Sequence, residues 1–509
     1  MLTVAKAQTF ITPFSIDSIA TVAYSVLEKN ESLYVLGVNA DTSIDWGVRS
    51  FLARFDNEGN KLSYVTFRPP GYVTSYAGGA NSLIPTSDNG MVTTGILTDT
   101  ASRNYVLFLK FDSLGNVEFY KTYQPAIANF RHTGGYKIIE CDSAYYIIGE
   151  TQRSNYYVEP MLIKTDLAGN LQFVKTYNTL PYLYGGGTNM SFTIMPNGNL
   201  LLCEARADDG NVWDKILSTC FLEIDTAGNL LNQHCTAGIN THAHYNIAVT
   251  HDNNYISCGS YYAYRNQGSG YQYNNYVAKW DTGFNILWDL KLGYINVFNA
   301  FTDFMQNPAD DIILCGHNLV DTIGGGDAGF NGCLAKISAT GNLNWFRNYK
   351  VPTGLGLDNS HNWLYDIDLL PNEDIVAVGS WQWNSANSPL GLKQLGWLLR
   401  VNSDGCMDDG SCGVTDIDES AAEQEPVTLQ PVVISPNPSD GVFAVNSTVT
   451  LPAATTIDFY DVNGKRLSSQ MLLNQSTLVN LNHLPAGVYF YEVSNGITHV
   501  QSGKVLIQK

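Results

Sequence analysis

The side chains best suited to chemistry in this 509-residue chain are aromatic. Six tyrosines stand between Tyr261 and Tyr276, among them Tyr264, Tyr271 and Tyr273, interleaved with Asn266, Gln267, Asn274 and Asn275. Tyrosine offers rigid amphipathic surface at low entropic cost, and amides add adaptable hydrogen bonds, so such a segment suits a glycan or a protein ligand. Trp381 and Trp383 fall at the matching place further along the chain. The plainer role for all these rings is packing over the ends of sheets. Other reactive types are scattered. Arg131, Arg153, Arg206 and Arg265 make an anion site only if the fold gathers them. Asp408 and Asp409 are two adjacent carboxylates, too few to hold a cation. Nine cysteines show no CxxC or Cys/His cluster of the kind zinc needs. The sequence therefore assigns no catalytic residue, no cofactor and no metal.

What must position these side chains is a repeat. Seven times, 54 to 64 residues apart, a strand-like run ends in a polar turn with glycine. The turns are Asp56–Asn60, Asp112–Asn116, Asp166–Asn170, Asp225–Asn229, Asp281–Asn285, Ser338–Asn342 and a looser Asn402–Cys406. In the commonest form, Asp-x-x-Gly-Asn, the aspartate caps its own turn and the glycine takes the positive φ that closes it. An aromatic follows on the next strand, as at Phe119, Phe173, Trp288 and Trp345. Earlier in each repeat a short β-branched run ends in glycine, at Gly37, Gly95, Gly149, Gly259, Gly316 and Gly379, with Cys203 in the fourth repeat. These glycines are expected to let the strand twist or a neighbouring blade come close. Two hairpins per repeat predict an all-β fold, a seven-bladed β-propeller with four-stranded blades over residues 8–412.

The last repeat lacks an outer strand, because Cys406–Cys412 reads as turns, while a spare strand-like segment, Gln8–Pro13, precedes the first. An open sheet edge invites aggregation, so the N-terminal segment is expected to close the ring by pairing with Trp397–Val401. Cys220 and Cys235 flank one turn almost symmetrically, and Cys406 and Cys412 could staple the end of the last blade; both are candidate disulfides.

Charge and hydropathy exclude several classes. With 28 basic and 47 acidic residues the chain carries −19, which argues against nucleic acid and anionic membrane surfaces. No run of 18 apolar residues marks a membrane span. Residues 1–7, ending in a small-residue pattern, read as the remnant of a signal peptide. Residues 413–430 hold five acids and no base and read as a solvated linker. A smaller β domain, 431–509, follows.

That last domain resembles the type A C-terminal sorting domain of the Bacteroidetes type IX secretion system. The likeness rests on Ser435-Pro436-Asn437-Pro438-Ser439-Asp440-Gly441, on Tyr460–Lys465 with Gly464 and Lys465 in its turn, on Leu484–Phe490 with Gly487 and Tyr489, and on Gly503-Lys504 before the C-terminal run. It implies an immunoglobulin-like β-sandwich, export across the outer membrane, and partners in the secretion machinery and its sortase-like protease. The protein would then be released or anchored to the outer cell surface. By contrast, the repeat turns depart from the sialidase pattern Ser/Thr-x-Asp-x-Gly-x-x-Trp, being one residue longer in most repeats. The sequence reading is thus a secreted or surface-bound monomeric propeller that binds a glycan or protein. The alternatives are a glycan hydrolase or lyase with its site in the propeller funnel, and a structural component of a surface layer.

Overall fold

A computed structural model describes residues 9–40, 47–79, 81–125, 130–153, 158–177, 190–207, 217–235, 241–264, 271–292, 299–320, 329–352, 360–383, 394–412, 432–447, 455–461, 465–472, 476–494 and 499–509. Up to residue 417 the described strands form seven antiparallel blades, ordered outward along the sequence except for the outermost strand of the seventh. One parallel bridge, Val48 to Thr74, joins the first two blades. The innermost strands are Ala20–Lys29, Tyr72–Ala77, Phe130–Cys141, Met190–Ile194, Thr241–Val249, Ala300–Gln306 and Ser360–Leu369, for blades 1 to 7 in turn. Alternation along each strand sends one set of apolar side chains to each neighbouring blade. The result is seven separate apolar cores, one per blade interface. A propeller grows by adding interfaces rather than by enlarging one core.

The seventh blade takes its outermost strand, Phe10–Phe14, from the N-terminus. It pairs antiparallel with Gln394–Val401, from Phe10 opposite Arg400 to Phe14 opposite Gly396. Phe14 meets Phe51 and Phe55 of blade 1 edge-on, with centroids 6.3 and 5.0 Å apart. The Thr9 N–H donates to Asp408 (2.9 Å) and the Asp408 N–H returns a bond to Thr9 Oγ1 (2.7 Å).

The turns clasp the blades together. In blade 2, the Asp112 carboxylate accepts from the N–H groups of Leu114 and Asn116 and from the Asn116 side chain, at 2.9 to 3.0 Å. Gly115 sits at φ +89°. A Cβ on the equivalent glycines would strike the outer-strand aromatic of the preceding blade: Phe119 at Gly169, Phe173 at Gly228, Trp288 at Gly341, Trp345 at Gly405. At Gly59 the ring it would strike is Phe10, so the N-terminal strand makes the same clasp as the outer strands of blades 2, 3, 5 and 6; at Gly115 the ring is Tyr34, from the second strand of blade 1. Blade 5 differs. There Phe284, not Gly283, holds the positive φ (62°), and its ring stacks on Phe221 at 4.7 Å and on His234 at 5.5 Å.

The second unit, Asp418–Lys509, is a sandwich of a three-stranded sheet (Val432–Ser435, Val442–Ser447, Ser476–Asn480) and a four-stranded sheet (Arg466–Met471, Thr456–Tyr460, Gly487–Ser494, His499–Ile507). Phe443, Val445, Ile457, Phe459, Tyr491, Val493 and Val505 lie in the core between them.

Candidate functional site on the propeller axis

The repeat glycines build the axis. In blades 1, 3, 5, 6 and 7 the inner strand carries a bulge opposite the glycine, between Ala23 and Ser25, Gly135 and Lys137, His244 and Asn246, Phe301 and Asp303, and Leu364 and Asp366. In blade 2 the strand breaks there, after Ala77 opposite Gly95. A Cβ on Gly37, Gly95, Gly149, Gly316 or Gly379 would collide with a carbonyl of the inner strand of its own blade. Blade 4 supplies the control: Cys203 stands in place of glycine, and its inner strand pairs without a shift. The glycine therefore admits the bulged strand of its own blade, not the neighbouring blade, and the bulge re-aims the next side chain.

The axis carries a ring of polar groups, one per blade: Ser25, Asn81, Lys137, Ser191, Asn246, Asp303 and Asp366, of which Ser25, Lys137, Asn246, Asp303 and Asp366 directly follow a bulge. Lys137 Nζ donates to Asn246 Oδ1 (2.6 Å) and to Ser191 Oγ (3.3 Å), and Ser191 donates to Asn246 (2.9 Å). The Asn246 amide donates to Asp303. Asp366 accepts from Ser25 Oγ (2.5 Å) and the Val26 N–H (2.8 Å). Asn81 reaches from the interrupted strand of blade 2 to both acids, its N–H to Asp366 at 2.9 Å and its amide to Asp303 at 3.4 Å. Asp303 and Asp366 are buried. Burial, then repulsion from Asp303, pushes the Asp366 carboxyl well up. Burial also raises Asp303, against the hydrogen bond from Asp366 and the attraction of Lys137. Burial and mutual repulsion thus favour a shared proton on the pair, most strongly at Asp366, while Lys137 favours the charged form of Asp303. Toward the end where the inner strands begin, Tyr24 contacts Tyr76 and Tyr365, each with centroids 5.2 Å apart, and Tyr365 bonds Ser380 (3.2 Å).

At that same end, between blades 6 and 7, four half-buried rings gather. His361 stacks on Trp363 at 5.2 Å, and Phe330 lies 5.3 Å from His361 and 5.7 Å from Trp363. His317 meets Phe330 edge-on at 5.5 Å. Burial pushes the His317 imidazole down to about 4, so it is neutral at physiological pH.

Of the residues named from sequence, Trp381 is buried in the core between blades 6 and 7, a packing residue and not part of an open platform. The side chains of Tyr264, Tyr271, Tyr273, Trp383, Arg131, Arg153 and Arg206, and all of Arg265, lie outside the described residues. Asp408 is engaged by Thr9, and Asp409 accepts from Ser411 at 2.6 and 2.8 Å, so the two do not converge. Disulfides join Cys220 to Cys235 and Cys406 to Cys412. Cys203, Cys258, Cys315 and Cys333 are buried thiols, and Cys141 is half-buried. The axial ring escaped sequence reasoning, although a signal exists: a Ser, Lys, Asn or Asp stands twelve or thirteen residues before the strand-ending Gly or Cys in blades 1 and 3 to 7.

In the sandwich, the sorting residues serve its architecture. Asn437 bonds the last strand twice, accepting from the Leu506 N–H (2.8 Å) and donating to the Lys504 carbonyl (3.0 Å). Pro436 and Pro438, each after a cis peptide, flank it. Gly441, at φ +105°, lies against the Asn482 backbone. Tyr489 Oη donates to the Pro485 carbonyl (2.8 Å), two residues before Gly487, and Gly503 lies under the Tyr491 ring. Lys465 closes a turn on Asp461, and Lys504 is exposed; Gly464 lies outside the described residues.

Residues 433–508 match the family model described as the secretion system C-terminal sorting domain. Fold and match together define an exported β-propeller. Residues 433–508 form a C-terminal sorting domain of the type IX secretion system, which marks the chain for export to the cell surface or beyond. No curated protein sequence matches it. Similar solved structures include the BP39L lectin from Burkholderia pseudomallei (12% identity, TM-score 0.44, 73% of this chain and 97% of that one). An ulvan lyase of polysaccharide lyase family PL25 is 9% identical, with TM-score 0.47 over 72% of this chain and 93% of that one. Puromycin hydrolase is 11% identical, with TM-score 0.45 over 85% of this chain; the chain spans 60% of that enzyme's length. At these scores the likenesses carry no argument about ligand or activity.

Proposed function

We propose that the propeller is a binding module exported by its sorting domain, and that it meets its ligand at the ring patch of Phe330, His361, Trp363 and His317. The stacking of these half-buried rings at one end of the propeller is the observation that carries this reading. Flat aromatic faces bind sugar rings and protein side chains with little entropic cost. The axial ring supports it from the other side. Its groups bond chiefly to one another: Asn81 covers both carboxyls and Asn246 occupies the lysine, which leaves the ring the work of knitting blades. The test is a glycan and protein binding screen of the secreted chain, repeated with Trp363→Ala and His361→Ala. Weaker binding at unchanged melting temperature is expected. Unaltered binding would move the ligand elsewhere, and release of cleaved product from a bound glycan would replace the binding reading with an enzymatic one.

A further inference from the structure

The interface between blades 5 and 6 holds polar side chains that no other described residue fully satisfies. Ser260 and Asn275 stand directly opposite each other on the second and third strands of blade 5, Tyr255–Tyr264 and Tyr271–Trp280. They share a face with Cys258 and Val277, which belong to the apolar core against blade 6. Across the interface, Asn318 on Ile312–Val320 shares a face with Leu314, and Asn348 on Leu343–Tyr349 shares one with Phe346, both of that same core. Asn299 precedes the inner strand of blade 6 and accepts from the Leu319 N–H at 2.7 Å. All five side chains are at most 2% exposed. Asn318 and Asn348 share one long bond of 3.4 Å. Among the described residues, Ser260 Oγ, both polar atoms of Asn275, Asn299 Nδ2, Asn318 Oδ1 and Asn348 Nδ2 have no hydrogen-bond partner.

Buried polar atoms without a protein partner are uncommon in native folds, and a cluster of them is ordinarily bonded by water or by a ligand. The chemistry of that partner is narrow. The slot presents four amides and a hydroxyl with free valence, offering donors and acceptors together, and none of its five side chains is charged. An anion or a cation finds no counter-charge there, whereas a hydroxyl group both donates and accepts at one atom. Position adds a second constraint. Asn318 follows His317 on the same strand, so their side chains leave by opposite faces, Asn318 to the amides and His317 to the aromatic patch. One end of blade 6 thus carries hydrogen-bonding amides on one side and stacked rings on the other.

We propose that this amide slot is a binding site for the hydroxyl groups of a neutral carbohydrate, with the ring patch as its neighbouring platform. The proposal rests on the binding function given above and names the ligand class. The full secreted chain would be titrated calorimetrically with glucose, galactose, mannose, xylose and fucose, and with glucuronic acid as the anionic comparison. At least one neutral sugar should bind and glucuronic acid should not. The Asn275→Leu/Asn348→Leu double variant should bind at least tenfold more weakly, and the milder Ser260→Ala variant several-fold, with melting temperatures unchanged or raised, since apolar isosteres relieve unsatisfied groups. A high-resolution crystal structure of the sugar complex should place hydroxyl oxygens between Asn275 and Asn348. Ordered water alone in the slot overturns the proposal, as does full affinity in both slot variants. If Trp363→Ala still weakens binding while the slot variants do not, the slot fails and the patch stands. If no sugar or protein binds and neither set of variants matters, both fail.

Discussion

Truncating Phe10 to alanine tests how the ring is closed. The side chain is 9% exposed and belongs to the core between blades 7 and 1, and its ring lies against Gly59 where other blades place a tyrosine, phenylalanine or tryptophan. Emptying a buried phenylalanine site costs about 3–5 kcal/mol. At about 2.1 cal/mol/K of unfolding entropy per residue, the unit Met1–Ile417 carries roughly 0.9 kcal/mol/K if it melts as one. The melting temperature should therefore fall by about 3–6 °C. Deleting residues 1–14 removes the whole paired strand and bares the edge of Gln394–Val401, so a larger drop should come with self-association. Differential scanning calorimetry reads the first effect, light scattering the second, and hydrogen exchange should show faster amides along Gly396–Arg400. A melting temperature within about 1 °C of wild type for Phe10→Ala, with exchange unaltered, would refute the closure argument, because a strand that carries no core weight cannot be holding the ring.

Three further outcomes follow from the same geometry. Asp366 binds a proton in the folded state that the unfolded chain has released, so its contribution is full below about pH 4 and fades as pH rises through its folded value. Asp368, raised to about 6 by burial, loses its contribution between about pH 4 and 6 in the same direction. Asp366→Asn, which keeps a donor toward Asp303, should flatten the fall in denaturant midpoint from acid to neutral pH. Asp303→Asn, which strips Lys137 of its counter-charge, should cost about 3–5 kcal/mol instead; equal pH slopes in wild type and Asp366→Asn would sink the shared-proton picture. Alkylation of the denatured protein should label five thiols without reductant and nine with it, Cys141 reacting first in the native state, while nine labels without reductant would exclude both disulfides. Gly503→Val drives a side chain into the Tyr491 ring and should hold the protein in the periplasm, as deletion of 431–509 should; normal export of either would contradict the sorting role.

The local repeat was legible because its signals are backbone signals. Asp-x-x-Gly-Asn closes a turn whatever surrounds it, and a β-branched run ending in glycine reads as a strand in any context, so blade number and fold class could be counted from the chain. The sorting domain was legible because its motifs are dense and ordered. The aromatics at Phe119, Phe173, Trp288 and Trp345 were visible as a pattern, but their purpose, to lie on the next blade's turn glycine, required two repeats in contact. The strand glycines were visible too, and their cause was misplaced: the close partner is the inner strand of the same blade, whose bulge no single-strand pattern displays. Trp381 looked like a surface ring by position and is core, since burial depends on which face of a twisted blade a residue takes. What the sequence alone determined, then, was the sequence-local part: turns, strands, their number and the export signal. The axial ring, the ring patch and the amide slot join residues as far as 341 positions apart, as Ser25 and Asp366 are, and only closure of seven blades about one axis brings them within hydrogen-bonding distance.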